Sequence, residues 1–547
     1  MKRTYIMLVI IVVAAGLLRF FQITSTPASL TWDEAAWGYN AFSLLKTGQD
    51  EFGKPFPVTY LESFGDFKPP LYAYLSVIPV AVFGLNEFST RFASAFFGTL
   101  TVLVTYFLVA RVFFLSERKQ WYGLFAALFL AFSPWHINLS RAAFEANVAT
   151  FFLVGGVWLF LEGLGKNRWL LSISALSFAL SFYTFNTSRV VAPLLVLILG
   201  VFFWRELLKK KKELFVAACI GVIVLLPLLP FLFSPQAQLR YKEVNIFSDS
   251  GPVVTSNQHI ERNGNTFWSK ILDNRRVFFA REYLRHYFDN LSPSFLFIKG
   301  DGNPKFSTQQ VGEMYLFDLP FLVIGVFLLF RKREGYWYLL PLWFFLGILP
   351  AATARETPHA LRIETVLPVP QILIAYGFVQ CLLVIKKGKM IKMQLVRRAA
   401  LFGVFLLFFV NVSYYLHDYY TNYKIMYSGE WQYGYKEAYQ FTRSQEKSFD
   451  TIYVTTDLGR PYIYYLFFSE LSPSVFQSTA KITRDVFGFV SVDKVGKYHF
   501  IRDFSKINQS AQHALFLDTP TNIPGNAKVL QTFYLLNKSP VLVAYTI

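Results

Sequence analysis

Long apolar runs, separated by short polar segments, make up most of residues 1–416. A membrane-spanning helix needs about 20 apolar residues. The pattern predicts eleven spans, at 5–22, 91–114, 121–138, 146–163, 169–185, 190–204, 214–233, 317–330, 336–352, 362–385 and 399–416. A further apolar run, 71–85, is short for a span and contains Pro79, so we interpret it as a helix that lies at the membrane interface or re-enters the membrane. The predicted fold class is a polytopic α-helical membrane protein with about 11 transmembrane helices.

Residues 417–547 have a different pattern. Strand-like runs alternate with helical stretches such as 435–443. The strand-like runs are 451–456, 498–502, 514–517, 529–535 and 541–547. The sequence therefore predicts two domains, a transmembrane domain at 1–416 and a small extracytoplasmic α/β domain at 417–547.

Composition and charge support a membrane protein. Only 16% of the 547 residues are charged, whereas a soluble domain usually carries about 25%. The net charge of +18 could indicate nucleic-acid binding, which needs a basic face on a folded domain. Instead, 21 of the 53 Lys and Arg residues, with only four acids, fall in six short windows at 1–5, 111–120, 165–168, 205–213, 331–334 and 386–398. Basic residues in short loops between apolar helices follow the positive-inside rule, so no nucleic-acid partner is expected.

That rule also predicts the topology. It places the N-terminus of this multi-pass protein on the cytoplasmic side. The two cysteines and the absence of targeting signals favour the plasma membrane. Three external regions remain, at 23–90, 234–316 and 417–547. We therefore expect any chemistry to take place at the outer face of the membrane.

An acidic pair, Asp33-Glu34, follows the first predicted span in the run Thr31-Trp32-Asp33-Glu34. Carboxylates beside a bilayer are costly to place and are suited to accepting a proton from a hydroxyl. The alternative is a helix cap or a solvated interfacial charge. We interpret Asp33 and Glu34 as candidate catalytic residues.

The run Lys68-Pro69-Pro70-Leu71 ends the same external loop. Prolines can begin a helix, and a lysine at a helix start is well placed to bind a phosphate. The alternative is that Lys68 only extends to the lipid headgroups.

Further candidates for substrate or donor-phosphate binding lie at predicted external ends of spans. Arg141 and Glu145 are four residues apart and could pair on one helix face, either as a structural salt bridge or as part of the site. Arg355, His359 and Arg362 form a dense polar cluster that could bind an anionic leaving group. The alternative for this cluster is that its side chains only extend to the lipid headgroups, as for Lys68.

Together these residues resemble a known family. The run Trp32-Asp33-Glu34 after the first span, and Lys68-Pro69-Pro70-Leu71 ahead of Arg91, resemble the polyprenyl-phosphate-dependent glycosyltransferases of the GT-C type. These include the protein O-mannosyltransferases and the aminoarabinose transferases that act on lipid A. The resemblance covers about residues 1–415. It departs from the aminoarabinose branch at Ala35-Ala36-Trp37 and at Phe67, where that branch has an arginine and an acid.

The resemblance implies a reaction. A monosaccharide, a hexose such as mannose, is transferred from a polyprenyl-phosphate donor to an acceptor hydroxyl of a protein, lipid or glycan, with inversion. Asp33 takes the role of base, Glu34 orients the acceptor or tunes Asp33, Lys68 lies near the donor phosphate, and Glu145 is a second acid. The leaving group does not strictly require a metal if fixed cations are present, no cofactor is assigned, and a divalent metal ion at Asp33 and Glu145 is left open. The rival interpretation is a transporter or flippase of lipid-linked sugars, which would place ionisable groups near the membrane midplane.

Overall fold

The computed structural model describes residues 2–165, 167–237, 245–387, 394–485, 490–504 and 513–547. The basic window 386–398 therefore lies partly outside the described residues. The chain divides into two compact units. Unit 1 contains Met1–Leu18, Phe97–Leu139 and Glu145–Tyr415, and unit 2 contains Arg19–Phe96, Ser140–Phe144 and Leu416–Ile547.

Helices dominate the first 426 residues. Their bounds are Lys2–Phe20, Trp32–Thr47, Leu71–Phe83, Glu87–Val112, Lys119–Ala131, Pro134–Arg141, Glu145–Gly163, Leu170–Phe182, Ser188–Phe202, Trp204–Leu208, Lys211–Leu225, Leu228–Leu232, Gly251–Arg262, Phe267–Leu272, Arg275–Asp289, Asp318–Lys332, Leu339–Ile348, Val369–Lys387, Gln394–Asp418 and Lys424–Met426. Short 3₁₀ segments are Ile246–Ser248, Ala351–Thr353 and Glu364–Val366, and π-helical segments are Ser294–Ile298 and Tyr419–Tyr423.

Fewer of these helices have the length of a membrane span than the sequence predicts. Within the described ranges, four helices are long and apolar enough, at Arg3–Phe20, Glu87–Val112, Glu145–Gly163 and Arg398–Met426. The pair Lys119–Ala131 and Pro134–Arg141, bent by 56°, could supply a fifth. Several other predicted spans are shorter helices. The predicted span 362–385, for example, is α-helical only from Val369, after Pro368. Prolines restrict the preceding residue and favour such late helix starts. The total of eleven stays a prediction.

Unit 2 contains all nine strands of the described residues. Strands β1 (Leu61–Ser63) and β2 (Asp66–Lys68) form an antiparallel hairpin. The other seven are β3 (Thr451–Thr455), β4 (Lys481–Arg484), β5 (Val490–Val495), β6 (Tyr498–Ile501), β7 (Ala514–Asp518), β8 (Lys528–Tyr534) and β9 (Pro540–Thr546). They form one sheet in the order β4-β5-β6-β3-β7-β9-β8, in which β3 is parallel to β6 and β7 and the remaining pairs are antiparallel. The remaining helices are Tyr435–Gln445, Pro461–Phe468 and Pro473–Thr479, with a 3₁₀ turn at Pro520–Asn522.

All five strand-like runs predicted in the C-terminal region form strands, and β4 and β5 are additional. The structure also groups these residues with the first predicted external region in one unit. A common hydrophobic core contains Tyr39 and Ala41 of helix Trp32–Thr47 together with Tyr462, Leu466 and Phe500 from the C-terminal region. The predicted boundary at 416/417 between a transmembrane domain and an extracytoplasmic α/β domain stays a prediction.

Direct contacts fix helix Trp32–Thr47 against the C-terminal region. The Tyr39 hydroxyl donates to the Leu471 carbonyl at 2.9 Å, and the Tyr464 hydroxyl donates to the Leu30 carbonyl at 3.1 Å. A Cβ on Gly38 would lie 2.6 Å from the Phe467 ring, so the packing there requires glycine. The C-terminal region therefore braces the helix that carries the acidic pair.

Candidate functional site

A capping box fixes the start of helix Trp32–Thr47. The Thr31 hydroxyl accepts from the Glu34 N–H at 3.3 Å, and the Glu34 carboxylate accepts from the Thr31 N–H at 2.9 Å. Asp33 and Glu34 both lie in the first turn. Carboxylates are stabilised there by the positive end of the helix dipole.

Glu34 is buried in a closed hydrogen-bond network with Arg91. The Arg91 Nε donates to Glu34 Oε1 at 2.8 Å and its Nη2 donates to Oε2 at 3.1 Å. The remaining Arg91 donors bind backbone carbonyls of Ile23, Pro27 and Ser29. Glu34 also accepts from the Ala143 N–H at 2.9 Å. All five donors of the guanidinium are thus used. The network fixes Glu34 beside Asp33, and the roles of Glu34 in orienting the acceptor or tuning Asp33 stay predictions.

Asp33 forms an ion pair with Lys68. The Asp33 side chain is 49% exposed, whereas that of Lys68 is only 11% exposed. The ammonium lies 5.4 Å from the centroid of the Trp37 ring and 5.3 Å from that of Phe64, so aromatic faces hold the cation in place. The structure therefore brings together the two residues that the sequence places 35 positions apart. An accessible carboxylate is suited to accepting a proton, and a fixed cation beside it is suited to stabilising a phosphate.

Arg141 is buried and held by backbone and aromatic groups. It donates to the carbonyls of Phe21 at 2.7 Å and Thr26 at 2.8 Å, and its guanidinium lies 5.3 Å from the centroid of the Tyr419 ring. One helix ends at Arg141 and the next begins at Glu145. Arg141 and Glu145 therefore do not lie on one continuous helix, as the sequence analysis expected, and their pairing stays a prediction. These contacts favour a structural role for Arg141, while Glu145 lies partly buried at the start of its helix in unit 1.

The predicted anion-binding cluster of unit 1 is not uniformly cationic. Burial and the neighbouring Arg362 lower the pKa of His359 to about 3, so the imidazole is neutral at physiological pH. A neutral imidazole can bind an anion only by donating a hydrogen bond, and the role of His359 in anion binding stays a prediction. Arg355 is exposed, and Arg362 donates to the Glu356 carbonyl at 3.1 Å.

A buried acidic pair that sequence reasoning did not select lies beside His359. The Asp301 N–H donates to Glu313 Oε1 at 3.0 Å, and the Asp301 carboxylate accepts from the Ala360 N–H at 2.6 Å. Burial raises the pKa of Asp301 to about 6. The turn Gly300-Asp301-Gly302 marks this loop in the sequence, but nothing in the spacing indicates Glu313 as its partner.

Sequence reasoning also missed Arg91 and Glu51 in unit 2. Arg91 lies in helix Glu87–Val112, where a cation near a span end is usually interpreted as interfacial. Glu51 is fully buried beside the hairpin β1–β2. The available signal was a second acidic pair, Asp50-Glu51, in the same loop.

No metal site is apparent among the residues described. Within those ranges, no group of three or more His, Cys, Asp or Glu side chains is arranged to hold a metal ion.

Comparisons with known proteins support the resemblance. Residues 67–231 match the profile of the dolichyl-phosphate-mannose-protein mannosyltransferase family. An uncharacterised protein of Aquifex aeolicus (strain VF5) is 28% identical over 183 residues, which are 33% of this chain and 34% of that protein. The match thus spans about a third of the length of that curated relative.

The similarity in fold extends over nearly the whole chain. The crystal structure of ArnT from Cupriavidus metallidurans bound to undecaprenyl phosphate has a TM-score of 0.53 and 13% sequence identity, and the match covers 98% of this chain and 97% of ArnT. The apo structure of the same protein has a TM-score of 0.52. The predicted enzyme class, a glycosyltransferase, is that of the matched family, and the predicted resemblance is confirmed. The chain is therefore similar in sequence to the dolichyl-phosphate-mannose-protein mannosyltransferases over residues 67–231, and it has the GT-C-type fold of ArnT, with a helical bulk and a β-sheet region.

Proposed function

We propose that this protein transfers a hexose, with mannose as the first candidate, from a polyprenyl-phosphate donor to an acceptor hydroxyl, with inversion at the anomeric carbon. The observation that carries the proposal is the ion pair between the half-exposed Asp33 and the largely buried Lys68. ArnT, which shares the fold, has been crystallised with undecaprenyl phosphate. The match to a mannosyltransferase family supports the choice of sugar.

Asp33 acts as the base in this proposal. Its carboxylate accepts the proton of the acceptor hydroxyl while the acceptor oxygen forms a bond to the anomeric carbon. The bond between that carbon and the phosphate oxygen breaks, and its electron pair leaves with the polyprenyl phosphate. Glu34 and Arg91 contribute by fixing the first turn of the helix that carries Asp33.

Lys68 stabilises the leaving group. The departing phosphate gains a negative charge, and a fixed ammonium in a partly buried position stabilises that charge more than it would in water. The Trp37 and Phe64 rings restrict the Lys68 side chain, so little reorganisation is needed. Arg355 and Arg362 of unit 1 remain further candidates for donor binding.

The proposal places this chemistry at the outer face of the plasma membrane. The eleven predicted spans, with the N-terminus in the cytoplasm, put the Asp33 loop, Glu145 and residues 417–547 outside. The bracing of helix Trp32–Thr47 by the C-terminal region supports a location of both on one side. The acceptor is then a protein, lipid or glycan of the cell envelope.

The test is transfer of label from radioactive polyprenyl-phosphate mannose into an envelope extract by the purified protein. Incorporation that depends on the protein supports the proposal, and the labelled product identifies the acceptor. Donor binding without transfer, for mannose and for other hexoses, would contradict the proposal and favour a transporter of lipid-linked sugars.

Lys68→Ala is expected to weaken donor binding by about 10- to 100-fold, since a hydrogen bond to a charged group contributes about 1.5–3 kcal/mol. The measurement is the dissociation constant for polyprenyl-phosphate mannose in detergent. Lys46→Ala, which removes an exposed lysine from the last turn of helix Trp32–Thr47, is the control. Equal affinity in Lys68→Ala and wild type would remove Lys68 from the phosphate site.

A further inference from the structure

A second carboxyl group lies buried beside Lys68. Glu51 follows helix Trp32–Thr47, and its side chain is completely buried. Its Oε1 accepts from the Ser63 hydroxyl at 2.9 Å, and its N–H donates to Asn40 Oδ1 at 2.9 Å. Among the described residues, Glu51 Oε2 has no hydrogen-bond partner. A buried carboxyl with one unsatisfied oxygen is costly, so its presence calls for a functional explanation.

The hairpin places Glu51 on the same face as Lys68. Leu61 lies opposite Lys68 in the antiparallel register, and Ser63 is two residues from Leu61 on β1. Side chains alternate along a strand, and directly opposed residues share a face. Ser63 and Lys68 therefore project from one face, and Glu51 binds Ser63 there.

Helix Trp32–Thr47 presents a second face to Lys68 and Glu51, beside the face of the hairpin. Asp33, Trp37 and Asn40 are spaced at i, i+4 and i+7, so they share one face of the helix. Asp33 pairs with the Lys68 ammonium, Trp37 lies beside it, and Asn40 holds the Glu51 backbone. Lys68 thus contacts one half-exposed carboxylate and has a second, buried carboxyl within electrostatic range.

The environment of Glu51 disfavours its charged form. Burial raises the pKa of Glu51 to about 8, with a smaller contribution from Asp50 in the same direction. The Ser63 hydrogen bond and the charge of Lys68 oppose this rise in pKa. Other titratable neighbours are Asp66, which lies opposite Ser63 on the same face of the hairpin, Tyr39 of helix Trp32–Thr47 and Tyr462 of helix Pro461–Phe468. Burial also raises the pKa of each of these two tyrosines.

We infer that Glu51 is a positioning residue for Lys68, which keeps a neutral carboxyl beside the ammonium so that the charge of Lys68 acts on Asp33 and on the donor phosphate. This inference rests on the proposed function. When Glu51 loses its proton, its carboxylate competes with the phosphate for Lys68 and adds a negative charge that repels an anionic donor. Donor binding is therefore expected to weaken at alkaline pH.

The experiment measures the dissociation constant for polyprenyl-phosphate mannose between pH 6.5 and pH 9, with the full-length protein in detergent. This donor is a phosphodiester, whose charge is constant over that range. If only protein with neutral Glu51 binds, a pKa of about 8 predicts a loss of affinity of about tenfold at pH 9. In Glu51→Gln, which cannot ionise, the ratio of the two dissociation constants is expected to be about 1.

A second variant is expected to shift the pH at which donor affinity is lost, whereas Glu51→Gln removes the pH dependence. Ser63→Ala removes a hydrogen bond that favours ionised Glu51, so the loss of affinity is expected to begin at a higher pH than in wild type. Glu62→Gln, which removes a carboxyl from the opposite face of the hairpin, is the matched control and keeps the wild-type profile. Thermal unfolding of each variant shows whether it is folded.

The possible outcomes separate the two proposals. A tenfold alkaline loss in wild type that persists in Glu51→Gln, or no such loss in wild type, overturns the role of Glu51 while leaving the proposed function intact. If wild type neither binds nor transfers any polyprenyl-phosphate hexose at any pH, the proposed function is wrong, and the role of Glu51 falls with it.

Discussion

Asp33→Asn is expected to lower the rate of sugar transfer by about 10²–10⁴-fold, the usual contribution of a general base. Asparagine has nearly the same shape and retains an oxygen that can accept a hydrogen bond from Lys68, but it cannot take up the acceptor proton. Donor binding and thermal stability should change little, because the Asp33 side chain is half-exposed and asparagine has nearly the same shape. The measurement is single-turnover transfer from labelled polyprenyl-phosphate mannose.

Asp457→Asn provides the control for that experiment. Asp457 is an acid of the same unit that pairs with the highly exposed Arg502. This change is expected to leave transfer at the wild-type rate. Full activity in Asp33→Asn would show that another group accepts the proton.

Arg91→Met is expected to reduce the free energy of unfolding by about 3–5 kcal/mol, because it leaves the buried Glu34 carboxylate without its partner. The same change abolishes hydrogen bonds to three backbone carbonyls between Ile23 and Ser29. Thermal and denaturant unfolding of the purified protein measure the effect. Arg91→Lys should recover only part of the loss, since an ammonium cannot reproduce the planar five-donor geometry of a guanidinium.

Two comparisons separate this effect from a general loss of charge. Glu34→Gln combined with Arg91→Met should be less destabilised than Arg91→Met alone, because no buried charge remains unpaired. Arg502→Ala removes a surface ion pair and should cost less than about 1 kcal/mol. If Arg91→Met were as stable as wild type, the network could not be what holds the acidic pair in place.

The environments of Asp33 and Glu34 explain why two adjacent acids differ in role. Successive residues of an α-helix point about 100° apart. Glu34 therefore points into the protein toward Arg91, and Asp33 points outward toward Lys68 and solvent. The buried acid holds the first turn, while the exposed acid remains accessible to an acceptor.

The C-terminal region packs against both elements that position Asp33 and Lys68. Its helices and strands bury one side of helix Trp32–Thr47, and the Val490 N–H donates to the Phe64 carbonyl next to the hairpin at 3.2 Å. Helix Trp32–Thr47 and the hairpin β1–β2, which both contact Lys68 or its neighbours, are thus supported by residues more than 350 positions further along the chain. A rigid support of this kind favours precise placement of reacting groups.

The sequence by itself determined the membrane class, the strand-rich C-terminal region and the two short runs that contain Asp33 and Lys68. The periodicity of apolar residues, the positions of turn residues and the distribution of charge are local properties, so a single sequence shows them directly. The number of spans stays a prediction, since only four helices of the described residues, or five with the bent pair, have the length and apolar composition of a span.

Only the tertiary structure decided which charges meet. The pairings of Glu34 with Arg91 and Asp33 with Lys68, and the approach of Glu51 to Lys68, join segments 17 to 57 positions apart. Sequence spacing is informative within one helix or strand, but not across a loop. Burial likewise lowers the pKa of His359, and backbone carbonyls hold the Arg141 guanidinium, and neither environment can be read from residue type alone.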